Sequence, residues 1–383
     1  MELNLDELNQ ADSSTESNLN NSFKIDYSYP VLFTENYLSS KELIKIKASN
    51  AQVFLCFDEG FLKKWPSLSS ELNSYFGSHL PSAKFLGGEQ SKTGLNRLED
   101  ILTAFNNASL AKGSYVLAFG GGSFLDVVGL ASSLFHRGLK LVRFPTTVLA
   151  QNDAGIGVKN GLNLLNQKNC IGTFAVPEAV INDFRFISTL PDRDLRSGIA
   201  EAIKVALLKD QAFFNWLYEN RKSLSQFKTP QMNKMIRRCA ELHLLHIAQG
   251  GDPFEQNQSR PLDYGHWLAH RLEVLSNSEI KHGEAVAQGI LVDSFYSHRK
   301  HGLHRSELLQ IKNLLSELGF DLNLFKKFDV AELLKGLEDF KNHLGGDFEL
   351  SVLTAIGQTT TTKEIDLKIY TELLEDTFGR LCH

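Results

Sequence analysis

The fold class of this chain is decided by a short stretch, Tyr115-Val116-Leu117-Ala118-Phe119-Gly120-Gly121-Gly122-Ser123. An apolar run of this length is typical of a buried strand, and the glycines allow the chain to turn directly into a helix. Glycines at such a turn let backbone N–H groups approach a pyrophosphate, and the helix N-terminus adds partial positive charge. The spacing differs from the usual G-x-G-x-x-G fingerprint, so the turn alone also fits a tight strand-to-helix connection.

Two more apolar runs flank this stretch, and each ends in polar residues. Val53–Phe57 is followed by Asp58, and Leu139–Phe144 is followed by Pro145-Thr146-Thr147. Apolar runs of this length, separated by helices, indicate buried parallel strands in βαβ units. The alternating pattern from Phe23 predicts a further strand. The intervening helices are predicted over Phe61–Phe76, Gly94–Ala108 and Phe124–Phe135.

The pattern changes after about Leu190, where helical periodicity dominates. The sequence therefore predicts a disordered polar tail (residues 1–22), a Rossmann-like α/β dinucleotide-binding domain with a parallel sheet (23–185), and a mostly α-helical metal- and substrate-binding domain (186–383). A late strand is predicted over Phe348–Leu353. The main helices of the second domain are predicted over Arg193–Leu208, Gln211–Phe227, Pro230–Ile247, Tyr264–Leu275, Glu284–Lys300, Arg305–Leu318 and Val330–Asn342.

Composition limits the class of protein. The 383 residues carry a formal net charge of -5 without a basic block, which argues against nucleic acid or an anionic membrane as a partner. No apolar stretch reaches the roughly 18 residues that a bilayer span needs. The four cysteines lack metal-ligand or redox spacing, which fits a reducing compartment. A cytoplasmic enzyme is expected.

Two acidic positions in the first half could contact a nucleotide. Glu89, in the segment Gly87–Thr93, could accept ribose hydroxyls, while Lys92 could lie near phosphate. The same segment also fits a solvated loop. Asp58 could hold a ribose or simply cap a turn.

The second half contains a possible metal set. Glu201, His266 and His282 together would form a catalytic zinc set that leaves a position open for substrate. His266 and His270 share a helix face at i, i+4, and Glu201 and Lys204 share one at i, i+3. Structural histidines and an internal ion pair are the alternatives.

Taken in order, these motifs resemble the 3-dehydroquinate synthase family, the sugar phosphate cyclases. The similarity runs from about Gln52 to Gly357 and is most specific in Ala118–Leu208. That region includes Pro145-Thr146-Thr147-Val148-Leu149-Ala150-Gln151, Lys168-Asn169 and Ala200-Glu201-Ala202-Ile203-Lys204. The resemblance implies an NAD-dependent, zinc- or cobalt-dependent, redox-neutral lyase that acts on a sugar phosphate and is commonly a homodimer.

The resemblance also implies a role for individual residues. The metal would be held by Glu201, His266 and His282. NAD would be held by Asp58, Glu89, Lys92, Gly121, Gly122, Asp126, Thr146, Thr147 and Lys168. The reacting sugar would be surrounded by Asp153, Lys159, Lys204 and His270. Phosphate or hydroxyl groups would contact Lys159, Asn169 and His270, and Arg137 would reach the phosphate of a neighbouring subunit's substrate.

This chain departs from the dehydroquinate-forming members at the substrate end. It has His243 where they carry Lys, Ser259 (next to Arg260) where they carry Arg, and Asp263 where they carry Asn. Their late Asp-Lys-Lys pattern is replaced here by a segment that places Lys341 and His343 near the substrate. Each lost charge-assisted bond is worth roughly 1.5–3 kcal/mol. We therefore expect a substrate with phosphate but without carboxylate, such as sedoheptulose 7-phosphate, as in the valiolone-type cyclases.

Three alternatives stay open. The first is 3-dehydroquinate synthase proper, with Arg260 substituting for the missing arginine. The second is a metal-dependent polyol or glycerol-phosphate dehydrogenase, which shares the two-domain architecture, although Lys159 and Lys204 favour elimination over simple oxidation. The third is a catalytically silent binding protein, which the intact acid, lysines and metal set disfavour.

Overall fold

Ten strands form in the part of the chain that the structure describes. The structure is a computed structural model that describes residues 26–165, 167–250, 254, 261–343 and 349–375, without the side chains of 261, 342 and 343. The predicted tail of residues 1–22 lies outside the described residues. The strands are β1 (Val31–Thr34), β2 (Val53–Asp58), β3 (Ser82–Phe85), β4 (Tyr115–Gly120), β5 (Lys140–Pro145), β6 (Lys159–Leu164), β7 (Gln167–Phe174), β8 (Ala179–Asp183), β9 (Leu350–Ala355) and β10 (Gln358–Thr362).

Six strands form one sheet in the spatial order β1-β8-β5-β4-β2-β3. Every pairing in this sheet is parallel, as predicted. Side chains of β4 alternate between two apolar layers: Leu117 and Phe119 pack into one, and Val116 and Ala118 into the other. Because both faces of the central strands β2 and β4 are covered, these two strands are apolar at nearly every position, whereas the edge strand β3 is partly exposed.

Fourteen α-helices lie in the described part of the chain, and those from α6 onward build the second half around the buried helix α11. None of the described helices has the length and apolar character needed to cross a bilayer. The helices are α1 (Lys41–Ala48), α2 (Glu59–Lys64), α3 (Leu68–Phe76), α4 (Leu95–Asn107), α5 (Gly122–Leu134), α6 (Asp192–Lys209), α7 (Gln211–Glu219), α8 (Arg221–Ser225), α9 (Thr229–Gln249), α10 (His266–Leu275), α11 (His282–Lys300), α12 (Arg305–Glu317), α13 (Val330–His343) and α14 (Leu367–Glu375).

Three local predictions are wrong. The helix predicted over Phe61–Phe76 is two helices, because Pro66 cannot supply the N–H that a continuous helix needs. The helix predicted over Gln211–Phe227 breaks at Asn220, whose side-chain amide donates to the carbonyl of Trp216 at 2.9 Å. Of the strand predicted from Phe23, residues 23–25 lie outside the described residues, residues 26–30 are not in a strand, and β1 begins only at Val31.

An antiparallel hairpin, β6–β7, was not predicted from the sequence. Its strands carry many polar residues because β7 alternates between exposed and half-buried positions. The turn end of the hairpin brings Lys168 to Glu89 and Asn169 to Lys92, while Lys159 starts β6 opposite Phe174. The domain boundary near residue 185 stays a prediction.

Candidate active site

The strands β2, β4 and β5 end side by side, next to the point at which the strand order changes direction, and an open parallel sheet has its ligand cleft outside such strand ends. Asp58 ends β2, and its Oδ1 accepts hydrogen bonds from the N–H groups of Gly60 (2.8 Å) and Phe61 (3.2 Å). Burial raises the pKa of Asp58, although those two N–H groups and that of Gly121 oppose the rise. A Cβ on Gly87 would lie 2.1 Å from Oδ2 of Asp58, so the backbone at position 87 lies this close to the Asp58 carboxylate because glycine has no side chain.

The glycine turn after β4 is built for an anion. Gly121 is the N-cap of α5 and provides no side chain to the first N–H groups of that helix, which also lack partners within the helix. The N–H of Thr146 donates to the carbonyl of Gly120 at 2.9 Å, which fixes the end of β5 beside the turn. A Cβ on Gly121 would lie 3.2 Å from Cγ2 of Thr147. This geometry suits a pyrophosphate at the start of α5.

Ionic side chains border the cleft on the α5 side. The buried Nζ of Lys92 lies 2.8 Å from Oδ2 of Asp126 and donates to Oδ1 of Asn169 at 2.9 Å. Although burial alone would lower the pKa of Lys92, Asp126 and Glu89 raise it above its usual range. Oε2 of Glu89 accepts from the hydroxyl of Ser123 at 2.6 Å. The ammonium of Lys92 therefore neutralises Asp126 within a network.

The predicted metal ligands meet at one point. Glu201 on α6, His266 at the start of α10 and His282 at the start of α11 offer ligand atoms that all lie within 4.8 Å of one another. Oε1 of the fully buried Glu201 is 3.2 Å from Nε2 of His282 and 3.6 Å from Nε2 of His266. The Nδ1 atoms face away, toward the carbonyl of Tyr264 (3.1 Å) and Oε2 of Glu273 (3.4 Å). Two inward Nε2 atoms and a carboxylate fit zinc or cobalt.

Close helix packing positions these ligands. The N–H of Gly283 donates to Oγ of Ser197 on α6 at 3.0 Å, and a Cβ on Gly283 would lie 2.0 Å from the carbonyl oxygen of Ser197. A Cβ on Gly289 would lie 1.8 Å from the carbonyl oxygen of Gly265, the N-cap of α10. Only glycine allows α11 to approach α6 and α10 so closely. His282 and His266 are thereby brought to Glu201.

Electrostatics prepare the same three groups for a cation. Burial opposes ionisation of Glu201, but Lys204 and His282 lower the pKa of this carboxyl to about 2. Burial also opposes the charged form of His282, but Glu273 and Glu201 raise its pKa to about 10. Burial, together with the positive charges of Lys204, His270 and His282, holds the pKa of His266 well below its usual range. A divalent cation would displace the His282 proton.

A second polar cluster adjoins the metal set. Nζ of Lys204 is 2.5 Å from Oε2 of Glu201, so the ion pair considered from the sequence is formed. Nδ1 of His243 on α9 lies 2.7 Å from Oδ1 of Asp153. Burial lowers the pKa of Lys204, yet Glu201, Asp153 and Asp263 together raise it. Three acids therefore act on one buried ammonium.

Two further predicted sugar contacts have defined positions. The ring of His270 lies 5.4 Å from that of His266 and 6.4 Å from that of His282 (centroid distances), so it borders the metal set. Lys159 is exposed at the first position of β6. Its main-chain carbonyl accepts from Nη2 of the buried Arg143 at 3.1 Å, which fixes the backbone beside the cleft.

The remaining predicted substrate contacts are less centrally placed. Asn169 is exposed on β7 and bonded to Lys92. Arg137 is exposed in a short turn after α5, with a left-handed φ of 61°. Lys341 is exposed in the last turn of α13. The side chain of His343, like Ser259 and Arg260, lies outside the described residues.

Sequence reasoning missed one buried acid, Glu273, and two polar partners of Glu89, Ser123 and Asn163. Nδ2 of Asn163 donates to Oε1 of Glu89 at 2.8 Å. Burial alone would raise the pKa of Glu273, but His282, with a smaller effect from Lys168, lowers it below its usual range. A sequence signal did exist, because Glu273 follows His266 by seven residues and therefore lies on the same face of α10.

Comparisons with known proteins agree with this geometry. Residues 82–197 match the pattern of the N-terminal part of 3-dehydroquinate synthase, and residues 198–342 match that of its C-terminal part. The 3-dehydroquinate synthase of Coxiella burnetii (strain RSA 331 / Henzerling II) is 31% identical over 349 residues, which are 91% of this chain and 96% of that protein.

Two solved structures have the same fold. The 2-epi-5-epi-valiolone synthase ValA of Streptomyces hygroscopicus, with NAD+ and Zn2+ bound, is 25% identical with a TM-score of 0.86, covering 93% of this chain and 98% of that one. A 2-deoxy-scyllo-inosose synthase complexed with carbaglucose-6-phosphate, NAD+ and Co2+ is 24% identical with a TM-score of 0.80, covering 91% and 97%. This chain belongs to the 3-dehydroquinate synthase family and is a lyase of the sugar phosphate cyclase type.

Proposed function

We propose that this cyclase uses NAD and a zinc or cobalt ion to convert a ketose phosphate that lacks a carboxylate, such as sedoheptulose 7-phosphate. One observation carries the substrate class: the acids Asp153, Glu201 and Asp263 act on the single buried ammonium of Lys204. Among the described residues of this cluster, His243 is the other cationic candidate, and it already contacts Asp153. A substrate carboxylate would find no free positive charge among these residues and would be repelled by the acids.

The chain's own residues have separable tasks in this proposal. When bound, the cation would acidify a substrate hydroxyl, and the nicotinamide would accept a hydride and later return it. The first N–H groups of α5, after Gly121, would hold the pyrophosphate, and Asp58 would accept a ribose hydroxyl. Glu201, His266 and His282 would hold the cation at the edge of the same cleft.

Polar and cationic side chains near the metal set would transfer protons and bind the departing phosphate. Nζ of Lys204 would donate hydrogen bonds to a sugar oxygen, since its charge is fixed by Glu201. The ring of His270, whose centroid lies 5.4 Å from that of His266, would exchange a proton with the reacting sugar. Lys159 and Asn169 would contact the departing phosphate, whose negative charge requires cationic and polar partners.

The substrate assignment is tested with a panel of sugar phosphates. The protein, NAD and zinc are mixed with sedoheptulose 7-phosphate or 3-deoxy-arabino-heptulosonate 7-phosphate, and inorganic phosphate and absorbance at 340 nm are followed. We expect phosphate release from the first sugar without net NADH. Faster turnover of the second sugar would indicate 3-dehydroquinate synthase proper, an alternative that the 31% identity to such enzymes supports. NADH accumulation would indicate a dehydrogenase.

A substitution at Asp263 sharpens the test. Asp263→Asn removes one negative charge beside Lys204 and should shift the kcat/KM ratio toward the carboxylate-bearing sugar by about tenfold. Asp100→Asn, the same change at an exposed position of α4, is the control and should leave the ratio unchanged. An unchanged ratio in Asp263→Asn would contradict the charge argument.

We also propose that the enzyme is a cytoplasmic homodimer in which Arg137 approaches the phosphate in the neighbouring subunit. The exposure of Arg137 on a turn leaves its guanidinium accessible to a second chain. Sedimentation velocity should give the mass of two chains, and Arg137→Ala should raise KM for the sugar phosphate. A monomer with full activity would rule out this arrangement.

A further inference from the structure

A chain of polar and ionic contacts, from buried to partly exposed, leads from the metal set to the nucleotide cleft. It begins at Glu273 on α10, a side chain with only 5% exposure. Oε2 of Glu273 faces Nδ1 of His282 at 3.4 Å, and Oε1 lies 2.7 Å from Nζ of Lys168 on β7. A carboxylate on the outer nitrogen of a metal-ligating imidazole fixes the ring orientation and its tautomer. Glu273 thus has a separate partner on each oxygen.

The chain continues from Lys168 to the nucleotide side. Nζ of Lys168 lies 3.4 Å from Oε1 of Glu89, and Oε2 of Glu89 accepts from the hydroxyl of Ser123, the second residue of α5. Four side chains therefore connect His282, at the start of α11, with the helix N-terminus proposed to bind pyrophosphate. Lys168 is the shared member, because its one ammonium serves both Glu273 and Glu89.

We propose that Glu273 is a positioning residue that, through Lys168, couples metal binding at His282 to nucleotide binding beside Glu89. The inference rests on the proposed function, which supplies the two ligands. A nucleotide that orders Glu89 and Lys168 would also order Glu273 and the His282 ring, so the metal would bind to a site already arranged. By reciprocity, the metal must improve nucleotide affinity by the same factor.

The test measures binding, not turnover. Metal-free protein is titrated with zinc in the presence and in the absence of saturating NAD. It is also titrated with NAD in the presence and in the absence of zinc. We expect the wild-type protein to show equal coupling factors of at least about fivefold in the two directions. Glu273→Gln keeps one acceptor oxygen but replaces the other by an NH2 group, so one of the contacts with Lys168 and His282 is lost. Both coupling factors should then fall to about one, while zinc and NAD should each still bind in the absence of the other. Lys168→Met should also reduce both factors to about one, although NAD alone should bind more weakly because Lys168 is itself expected to contact NAD.

Glu279→Gln, an exposed position just after α10, is the matched control and should keep the wild-type coupling. A general loss of folding would lower the affinity for each ligand by itself. The inference instead requires that the effect of one ligand on the affinity for the other disappears. Retained coupling in both Glu273→Gln and Lys168→Met, or a coupling factor of one in the wild type, would overturn the inference while leaving the proposed function intact. Wild-type protein that fails to bind zinc or NAD would overturn both.

Discussion

One added methyl group at Gly283 should damage the fold and the metal site together. A Cβ at this position would lie 2.0 Å from the carbonyl oxygen of Ser197, whereas ordinary contact begins at 3.4 Å, so α6 and α11 would have to separate by about 1.4 Å. The obstacle is backbone and cannot rotate away. Glu201 on α6 and His282 on α11 would be drawn apart, and metal–ligand distances tolerate only about 0.2 Å.

The magnitude follows from these distances. Overpacking of a core costs about 1–3 kcal/mol, which outweighs the gain of up to about 1 kcal/mol from replacing a helical glycine by alanine. Gly283→Ala should therefore lower Tm by several degrees. Zinc affinity should fall at least about tenfold, a loss typical of displaced metal-site geometry.

Differential scanning fluorimetry and zinc titration against a chelating dye would measure both effects. The control is Gly113→Ala, because a Cβ there meets nothing within 4 Å and its backbone is not left-handed. If Gly283→Ala matched this control in Tm and in zinc affinity, the close helix approach would not be what assembles the site.

Two further variants probe the buried charges. Lys204→Met removes the ammonium partner of Glu201 and leaves His282 as its remaining cationic neighbour, so the metal-free protein should lose about 3 kcal/mol, the lower end for a broken buried pair. Zinc should partly restore the lowered Tm, while phosphate release stops; an unchanged metal-free Tm would contradict this. Asp293 accepts three buried hydrogen bonds, one from Trp267, and Asp293→Asn should cost about 1.5–3 kcal/mol in thermal unfolding. Burial raises the pKa of Asp293 to about 6, so the folded state binds its proton more tightly and this carboxyl's contribution to stability falls as pH rises from about 4 to 6. Asp293→Asn should remove that component, and a pH profile of Tm parallel to the wild type would refute the assignment.

Much of the sheet follows from local pattern. The runs that became β2, β4 and β5 are buried on both faces, so continuous apolar sequence marks them, and each ends in the residues that border the cleft. The same reasoning does not predict the hairpin β6–β7, because polar residues and glycine interrupt both strands and β7 has no buried position. The position of the hairpin depends on tertiary contacts, such as that of Lys168 with Glu273, which local sequence pattern does not show.

Residue spacing in the sequence predicts less of the candidate site than of the sheet. His266 follows Glu201 by 65 positions in the sequence, and no local rule brings them together. Their meeting depends on the helix approaches at Gly283 and Gly289, which are visible only in three dimensions. The resemblance to a family supplied the grouping, and Glu273, which that resemblance did not single out, was missed.

X-ray absorption spectroscopy of the zinc-loaded protein tests the central claim most directly. If Glu201, His266 and His282 hold the cation, the spectrum should show one zinc per chain with nitrogen and oxygen neighbours at about 2.0–2.2 Å, two of them imidazoles. Glu201→Ala and His282→Ala should lose this ion while still binding NAD. Sulfur neighbours, or one zinc per chain retained in both variants, would contradict the account.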